Sequence, residues 1–320
     1  MPQPRSFGRR SLALAASSLL LVGACSSPDE VSAPTTTGAG SGTEGTALVV
    51  GGSDASEMQI MQNIYAGLLE GAGYTVTIKS AGERAVYAPA LESGEIDVVP
   101  EYAASMAEYL NRTANGSDAA PIATNEASTT IQAMTPLAEA AGLTVLTPAQ
   151  AQNTNGFYVT KTFSDDNGVT TLSQLAARNQ PVVLAAGDDC RENTFCQPGL
   201  ERVYGLQISS LTGDPYGSAS AKQKVVDGAA QLGETGTTDG TLDALGLVLL
   251  EDDKNLQAAD NLVPIVNTEK ASDPKIADAL NKLAPVLTTE DLAELNLKVD
   301  AQRERPADVA KEWLEEKGLV

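Results

Sequence analysis

The sequence predicts an α/β fold of two domains, and two observations lead to this prediction. From Ala47 onward, short apolar segments alternate with segments of helical periodicity in the order β-α-β-α-β. A second alternating series follows between about residues 113 and 240. The chain has 320 residues, 42% of them hydrophobic, which is enough to bury the cores of two such domains.

The first series begins with ALVVGG, an apolar run that ends in glycines and predicts a strand from Ala47. Asp54 with Glu57 three residues later resembles a capping box, and apolar pairs recur after it at helical spacing. YTVTIK alternates as a strand, and a second helix is predicted over about residues 83–92. This order implies a parallel sheet with right-handed crossovers.

The third strand of this series lies in GEIDVVPEY, residues 94–102. Its apolar run predicts a buried strand, and Pro100 is expected to stop it. Tyr102 then stands just past the end of a central strand. In an open parallel sheet this position faces the ligand crevice, so Tyr102 is a candidate ligand contact.

The N-terminus predicts export and a lipid anchor. Three arginines precede an apolar run too short for a membrane span, so residues 1–24 are predicted to be a signal peptide. The run ends in VGAC, which resembles a bacterial lipobox and makes Cys25 the expected acylated residue; an ordinary secretory signal is the alternative. Arg9-Arg10 leaves the twin-arginine and general export routes both open. Residues 25–45, rich in Ser, Thr, Gly and Pro, predict a flexible tether at the outer face of the cell membrane.

Cys190 and Cys196 are predicted to form a disulfide, because they lie close together in CRENTFC of an exported chain. A redox or metal pair is the weaker alternative, since the spacing is not CxxC.

The composition excludes several kinds of chemistry. The chain has no histidine, which removes the Ser-His-Asp triad, the Cys-His pair and the ordinary zinc site. GGSDAS lacks the glycine pattern of a phosphate-binding loop. The net charge is −21, and −24 without the arginines of the signal, which argues against nucleic acid as a partner. Calcium binding at acidic turns such as Asp188-Asp189 and a carboxylate-based hydrolase both stay open as weaker hypotheses.

Two α/β units behind a lipid anchor, with no catalytic set, indicate a solute receptor whose two domains close on a ligand. Five segments resemble the glycine betaine/choline/osmoprotectant substrate-binding proteins of ABC transporters over about residues 47–320. These segments are GGSDASEMQIMQNIYAGLLEGAGY, LESGEIDVVPEY, TTDG, LVLLEDDKN and LTTEDLAELN…VD…PADVAKEWLEEKGL.

The resemblance implies a type II periplasmic-binding-protein fold, with two α/β domains joined by a hinge and the ligand in the cleft between them. Domain 1 is expected to comprise residues 46–112 and 241–320, and domain 2 residues 113–240. The resemblance also implies a separate permease and ATPase as partners, no cofactor, and a monomeric chain. In the family, tyrosine faces hold a quaternary ammonium group through cation–π attraction.

Carried over by position, the resemblance gives Tyr102 as a wall of this cage and puts Thr237 where a second cage tyrosine is usual. Ser53 and Thr160 stand where the family has a lysine and an arginine. These departures leave open a non-quaternary polar or aromatic ligand. The candidate ligand-binding residues are Ser53, Ser56, Glu57, Tyr87, Tyr102, Tyr158, Phe195, Tyr216, Thr237, Thr238 and Asp239.

Overall fold

The computed structural model describes residues 46–320. The predicted signal peptide, the tether and Cys25 lie outside the described residues. The ten strands of this part are β1 (Ala47–Gly52), β2 (Thr75–Ser80), β3 (Val98–Tyr102), β4 (Leu143–Val145), β5 (Asn155–Thr160), β6 (Val182–Ala185), β7 (Ile208–Leu211), β8 (Leu232–Gly236), β9 (Leu247–Leu250) and β10 (Leu262–Asn267).

Helices connect these strands and cover both faces of the sheets. The α-helices of the described part are α1 (Ser56–Gly71), α2 (Arg84–Glu92), α3 (Ala103–Asn115), α4 (Ala127–Ala140), α5 (Lys161–Asn167), α6 (Leu172–Ala177), α7 (Gln197–Gly199), α8 (Ala219–Val226), α9 (Thr268–Ala271), α10 (Pro274–Leu280), α11 (Thr289–Asn296) and α12 (Pro306–Glu316). Short 3-10 turns span Asp188–Arg191, Asp243–Leu245 and Asn281–Leu283, and π-helical turns span Leu200–Tyr204 and Leu297–Ala301.

The strands form two five-stranded sheets. The first has the order β2-β1-β3-β10-β4, and the second has the order β7-β6-β8-β5-β9. In the first sheet β1 runs parallel to β2 and β3, while β10 runs antiparallel to its neighbours β3 and β4. In the second sheet β5 runs antiparallel to its neighbours β8 and β9. We call each sheet with its helices a lobe. The expected type II fold with two α/β units is confirmed.

Each sheet buries apolar side chains on both faces. In the first lobe, α1 and the C-terminal helices cover one face around Ile60, Ile64 and Trp313, and α2 to α4 cover the other around Leu91 and Met134. In the second lobe, one core contains the disulfide and the other lies under α8. Burial on both faces explains the near-continuous apolar runs of the central strands.

Two segments connect the lobes, residues 146–154 and 251–261. They run side by side, with an antiparallel bridge between Gln152 and Asn261 and a hydrogen bond from the Asn153 backbone N–H to the Asp260 carbonyl. The sheets therefore divide the chain at points other than the expected domain bounds. β4, expected in domain 2, pairs with β10 in the first sheet, and β9, expected in domain 1, pairs with β5 in the second.

Two local predictions are wrong. The strand does not end at Pro100: β3 continues to Tyr102, because β10 pairs with residues 98–102 after the pairing with β1 has ended at Val98. The capping box does not form either. Ala55, and not Asp54, is the N-cap of α1, and an alanine side chain cannot accept a hydrogen bond. The Glu57 carboxylate is bonded instead to Tyr102 and Asn296.

Candidate functional site

Two of the cavities between the two lobes share one residue, Asn153. We call them the Arg84 cavity, of about 420 Å³, and the Tyr102 cavity, of about 430 Å³. Both are lined by residues of the two lobes together, which is how a receptor that closes on its ligand buries it.

The Tyr102 cavity lies where the first turn of α1, the end of β3 and the loop after β8 meet. Its first-lobe lining includes Ser56, Glu57, Tyr102, Asn296 and Asp300, and its second-lobe lining includes Gly217, Lys222, Gly236, Thr238, Asp239 and Thr241. Five of the eleven predicted residues are therefore brought together here: Ser56, Glu57, Tyr102, Thr238 and Asp239.

Glu57 joins these elements. Its Oε1 accepts hydrogen bonds from the Tyr102 hydroxyl and from Asn153 Nδ2 at 3.1 Å, and its Oε2 accepts from Asn296 Nδ2 at 2.5 Å. The Thr238 side chain lies near the same carboxylate. Burial raises the pKa of Glu57, and the hydrogen bonds from Thr238, Asn296 and Asn153 oppose that rise. One carboxylate thus holds groups from both lobes and from a connecting segment.

Asn296 completes this bridge. The same Nδ2 that bonds Glu57 also donates to the Thr238 carbonyl at 3.0 Å. Beside it, Ser56 Oγ donates to Asp300 Oδ1 at 2.7 Å, which places a second acid at the cavity. The lining is therefore rich in carboxylates and suits a cationic group.

Lys222, which is buried, and Asp239, whose side chain is 11% exposed, form an ion pair on the second-lobe side, with Nζ and Oδ2 2.5 Å apart. Lys222 also donates to Thr241 Oγ1, and Asp239 accepts from Thr235 Oγ1 at 2.6 Å and from the Thr241 backbone and hydroxyl. Burial alone would raise the pKa of Asp239, but the hydrogen bonds from Lys222, Thr235 and Thr241 outweigh it, and the pKa lies below its usual range. This pair fixes the TTDG loop.

The Arg84 cavity has a cation at its wall. Arg84 Nε and Nη2 each lie 2.8 Å from an oxygen of Glu101, a bidentate pair, and Tyr87 donates to Glu101 at 2.6 Å. Glu101 is 1% exposed. Asp260, from a connecting segment, accepts from the Ser105 backbone and hydroxyl at the start of α3. Both Asp260 and Ser105 line the cavity.

Three of the predicted aromatic walls lie at the cleft and two do not. Tyr102 and Phe195 line its cavities, and Tyr216, half exposed, stands next to Gly217. A Cβ on Gly236 would lie 2.8 Å from Asn153 Oδ1, so this cavity-lining glycine leaves room for the Asn153 side chain, while the Tyr216 hydroxyl would lie at an ordinary contact distance of 3.5 Å. The remaining two predicted walls, Tyr87 and Tyr158, are buried in the hydrophobic cores.

The predicted disulfide between Cys190 and Cys196 is present, and Phe195 lies inside the loop that it closes. Glu234 of β8 lies behind it, with a carboxylate oxygen within 4.8 Å of both sulfurs. Burial, with a smaller contribution from the charge of Asp189, raises the pKa of Glu234 to about 7. The two sulfurs are bonded to each other, so this group does not offer two free thiolates to a metal.

Ser53 and Thr237 line neither the Arg84 cavity nor the Tyr102 cavity. Ser53 Oγ accepts from the Ala55 backbone, while Thr237 Oγ1 accepts from the Thr154 N–H at 3.0 Å and donates to the Gln152 carbonyl. Thr237 thereby ties the TTDG loop to a connecting segment.

Sequence reasoning missed several residues of the cleft. Asn296 and Asp300 stand in the segment LTTEDLAELN…VD, which carried the family resemblance without being given a role. Asn153 lies in the polar NTN run before β5, and no signal distinguishes it from a loop asparagine. The other missed residues are Arg84, Ser105, Lys222, Thr241 and Asp260.

The two lobes, the paired connecting segments and the polar cleft between them define a solute receptor of the type II periplasmic-binding-protein class. Within residues 46–320, no helix is both long and apolar enough to cross a membrane. A family model described as the substrate binding domain of ABC-type glycine betaine transport system, OpuAC, matches residues 46–316. The chain belongs to this family.

Individual relatives agree with this assignment. The glycine betaine-binding protein YehZ of Escherichia coli (strain K12) is 28% identical over 321 residues, covering 96% of this chain and 98% of YehZ. A glycine-betaine-binding protein of Pseudomonas aeruginosa is 26% identical over 295 residues, covering 85% and 88%. The solved structure of apo YehZ matches with a TM-score of 0.73 at 26% identity and covers 86% of this chain and 99% of its own.

The family consists of extracytoplasmic substrate-binding proteins of osmoprotectant ABC importers. Its members are transport proteins that bind a small molecule.

Proposed function

We propose that this chain binds a quaternary ammonium compound of the glycine betaine type in the cleft between its lobes. The observation that carries the proposal is the position of Tyr102, which lines a cavity rich in carboxylates while its hydroxyl is bonded to Glu57. A methylated ammonium has no strong hydrogen-bond donor, so an aromatic face suits it, at about 0.5–2 kcal/mol per ring. Glu57 and Asp300 add a negative potential at the same place.

The relatives support the same ligand class. YehZ and the Pseudomonas aeruginosa protein are both named for glycine betaine binding. In this proposal the receptor is lipid-anchored through Cys25 at the outer face of the cell membrane. It works as a monomer without catalytic turnover, and it delivers its ligand to a permease that is driven by a separate ATPase.

The proposal is tested by calorimetry and thermal unfolding with glycine betaine, choline, carnitine, ectoine and a polyol. At a ligand concentration near 100 Kd, binding stabilises the folded chain by about 2.7 kcal/mol. Tyr102→Ala should reduce this gain by about 0.5–2 kcal/mol, and Tyr102→Phe should keep the greater part because the ring is retained. Tyr74→Phe, which removes a hydroxyl bonded to Asp273 away from the cleft, is the matched control. If no quaternary compound shifts the unfolding temperature, the proposed ligand class is wrong.

A second candidate is a polar ligand without an ammonium group. Two observations favour it: Tyr87 and Tyr158 are buried away from the cleft, and Asn153, Asn296 and Ser105 offer hydrogen bonds within it. Tight binding of a polyol that tolerates Tyr102→Leu, together with no response to glycine betaine, would favour this candidate.

A further inference from the structure

A betaine carries a carboxylate as well as an ammonium group, and the cleft needs a partner for it. The two positions where the family resemblance expects cationic residues hold Ser53 and Thr160. Within residues 46–320, the cations that line the Arg84 and Tyr102 cavities are Arg84, Arg112 and Lys222. These three differ in how much of their hydrogen-bonding capacity is already used.

Arg84 is held in one orientation. Its Nε and Nη2 bond the two oxygens of Glu101, and Glu101 is fixed in turn by the Tyr87 hydroxyl and the Tyr102 backbone N–H. A guanidinium has five N–H donors, and two suffice for this bidentate pair. Because the Arg84 side chain is 27% exposed and lines the cavity, donors remain available for a second anion.

The other two cations fit this role less well. Lys222 already bonds Asp239 and Thr241 and is 7% exposed. The Arg112 side chain is 52% exposed and lies 4.0 Å from Glu108, so nothing fixes its guanidinium. A preorganised donor loses less side-chain entropy on binding, which favours Arg84.

The Arg84 side chain also lies close to the backbone of Tyr102. Arg84 Nη2 and the Tyr102 backbone N–H bond the same oxygen of Glu101, at 2.8 and 3.1 Å, so these nitrogens lie within about 6 Å of each other. Because Asn153 lines both cavities, the Arg84 cavity and the Tyr102 cavity are adjacent. A short zwitterion therefore has a cation partner and an anion partner in one cleft.

Two acids also line the Arg84 cavity, and both have partners of their own. Asp260 accepts from the Ser105 backbone and hydroxyl, and burial raises its pKa. Glu108 Oε1 accepts from the backbone N–H groups of Ile122 and Ala123 at 2.7 Å. The two carboxylates of the Arg84 cavity therefore already accept hydrogen bonds from donors of the chain itself.

We infer that Arg84 binds the carboxylate of the ligand, so that this receptor selects zwitterionic betaines over plain quaternary cations. The inference rests on the proposed function and deepens it. Glycine betaine and choline test it well, because they share the trimethylammonium group and differ in carrying a carboxylate or a hydroxyl.

The test measures Kd for both compounds by calorimetry on the full chain and on Arg84→Gln/Glu101→Gln. Both residues are changed together, because Arg84→Gln alone would leave the buried Glu101 carboxylate without its cation. We expect the glycine betaine Kd to rise about 10- to 100-fold, as for the loss of a charge-assisted hydrogen bond, while the choline Kd stays within about 3-fold. Arg84→Lys keeps the charge without the fork and should weaken glycine betaine binding alone, by a smaller factor.

Arg305→Gln/Asp308→Asn is the matched control, because it removes a second bidentate arginine–carboxylate pair that lies at the N-terminus of α12, outside the cleft. It should change neither Kd. An equal loss of both ligands in the Arg84 variants, or no loss of glycine betaine, would overturn the inference while the proposed function stands. If the unmodified chain binds neither compound, the proposed function fails and the inference fails with it.

Discussion

The Tyr102 hydroxyl donates a hydrogen bond to Glu57 Oε1, which joins the end of β3 to the first turn of α1. The carboxylate faces only donors: the Tyr102 hydroxyl, two asparagine amides and the Thr238 side chain. In Glu57→Gln, an amide NH₂ would meet one of these donors. We expect the free energy of unfolding to fall by about 1–3 kcal/mol and ligand affinity to fall with it.

Urea unfolding and calorimetry check this prediction. Tyr102→Phe shows how much of the change comes from this hydrogen bond alone, because it removes the hydroxyl but keeps the aromatic ring. Unchanged ligand affinity in Glu57→Gln would mean that Glu57 does not position Tyr102 for binding.

The Lys222–Asp239 pair gives a second prediction. Lys222→Met leaves the Asp239 carboxylate without its cation in a buried loop, so the free energy of unfolding should fall by about 3–5 kcal/mol. Lys222→Met/Asp239→Asn should recover part of this loss, because no charge is then left unpaired. Urea titrations at pH 7 measure both. A double variant no better than the single one would argue against charge burial as the cause.

The disulfide gives a third prediction. Cys190 and Cys196 are six residues apart. Closing a loop this short lowers the conformational entropy of the unfolded chain, which stabilises the folded chain by about 2 kcal/mol. Cys190→Ser/Cys196→Ser should therefore lower the free energy of unfolding by about that amount. Because Phe195 lies in this loop, ligand affinity should fall as well. Stability that drops while affinity stays constant would show that the loop holds Phe195 without the bond.

Glu234 gives a prediction for pH dependence. Its pKa of about 7 lies above the ordinary 4.5, so between these values the folded chain binds more protons than the unfolded chain. The stability of the folded state should therefore fall as the pH rises from 5 to 8. Glu234→Gln removes this component and should be more stable than the unmodified chain at pH 8, by up to about 3 kcal/mol, and similar at pH 5.

Urea unfolding at both pH values measures this difference. Glu95→Gln is the control, since Glu95 is exposed and its replacement should change stability by less than about 0.5 kcal/mol. An equal effect of Glu234→Gln at pH 5 and pH 8 would contradict the prediction.

The order of elements and the cleft position of Tyr102 could be predicted from the sequence, because both follow from local patterns. Apolar runs define β1 and β3, and the end of a central strand meets the cleft in any sheet of this kind. β4 could not be assigned to its sheet, since three residues have too little pattern and its partner β10 lies more than a hundred residues away.

The aromatic residues show a second limit of sequence reasoning. Tyr158 alternates on β5 as a cleft residue would, but its ring lies against Gly233 beneath α8. Periodicity gives the face of a strand and does not tell what covers that face. Arg84 was missed for a related reason: its importance comes from Glu101, seventeen residues later on another element.

The facing prolines of β3 and β10 have a consequence for strand alignment. Pro100 stands opposite Pro264, and the flanking hydrogen bonds from Asn267 to Asp97 and from Ala103 to Asn261 put this pair at a non-hydrogen-bonded site. A slip of one residue would bring a ring without an N–H to a site that needs a donor. The two prolines therefore fix the register of β3 against β10, and Tyr102 lies two residues beyond Pro100 on the strand that they align.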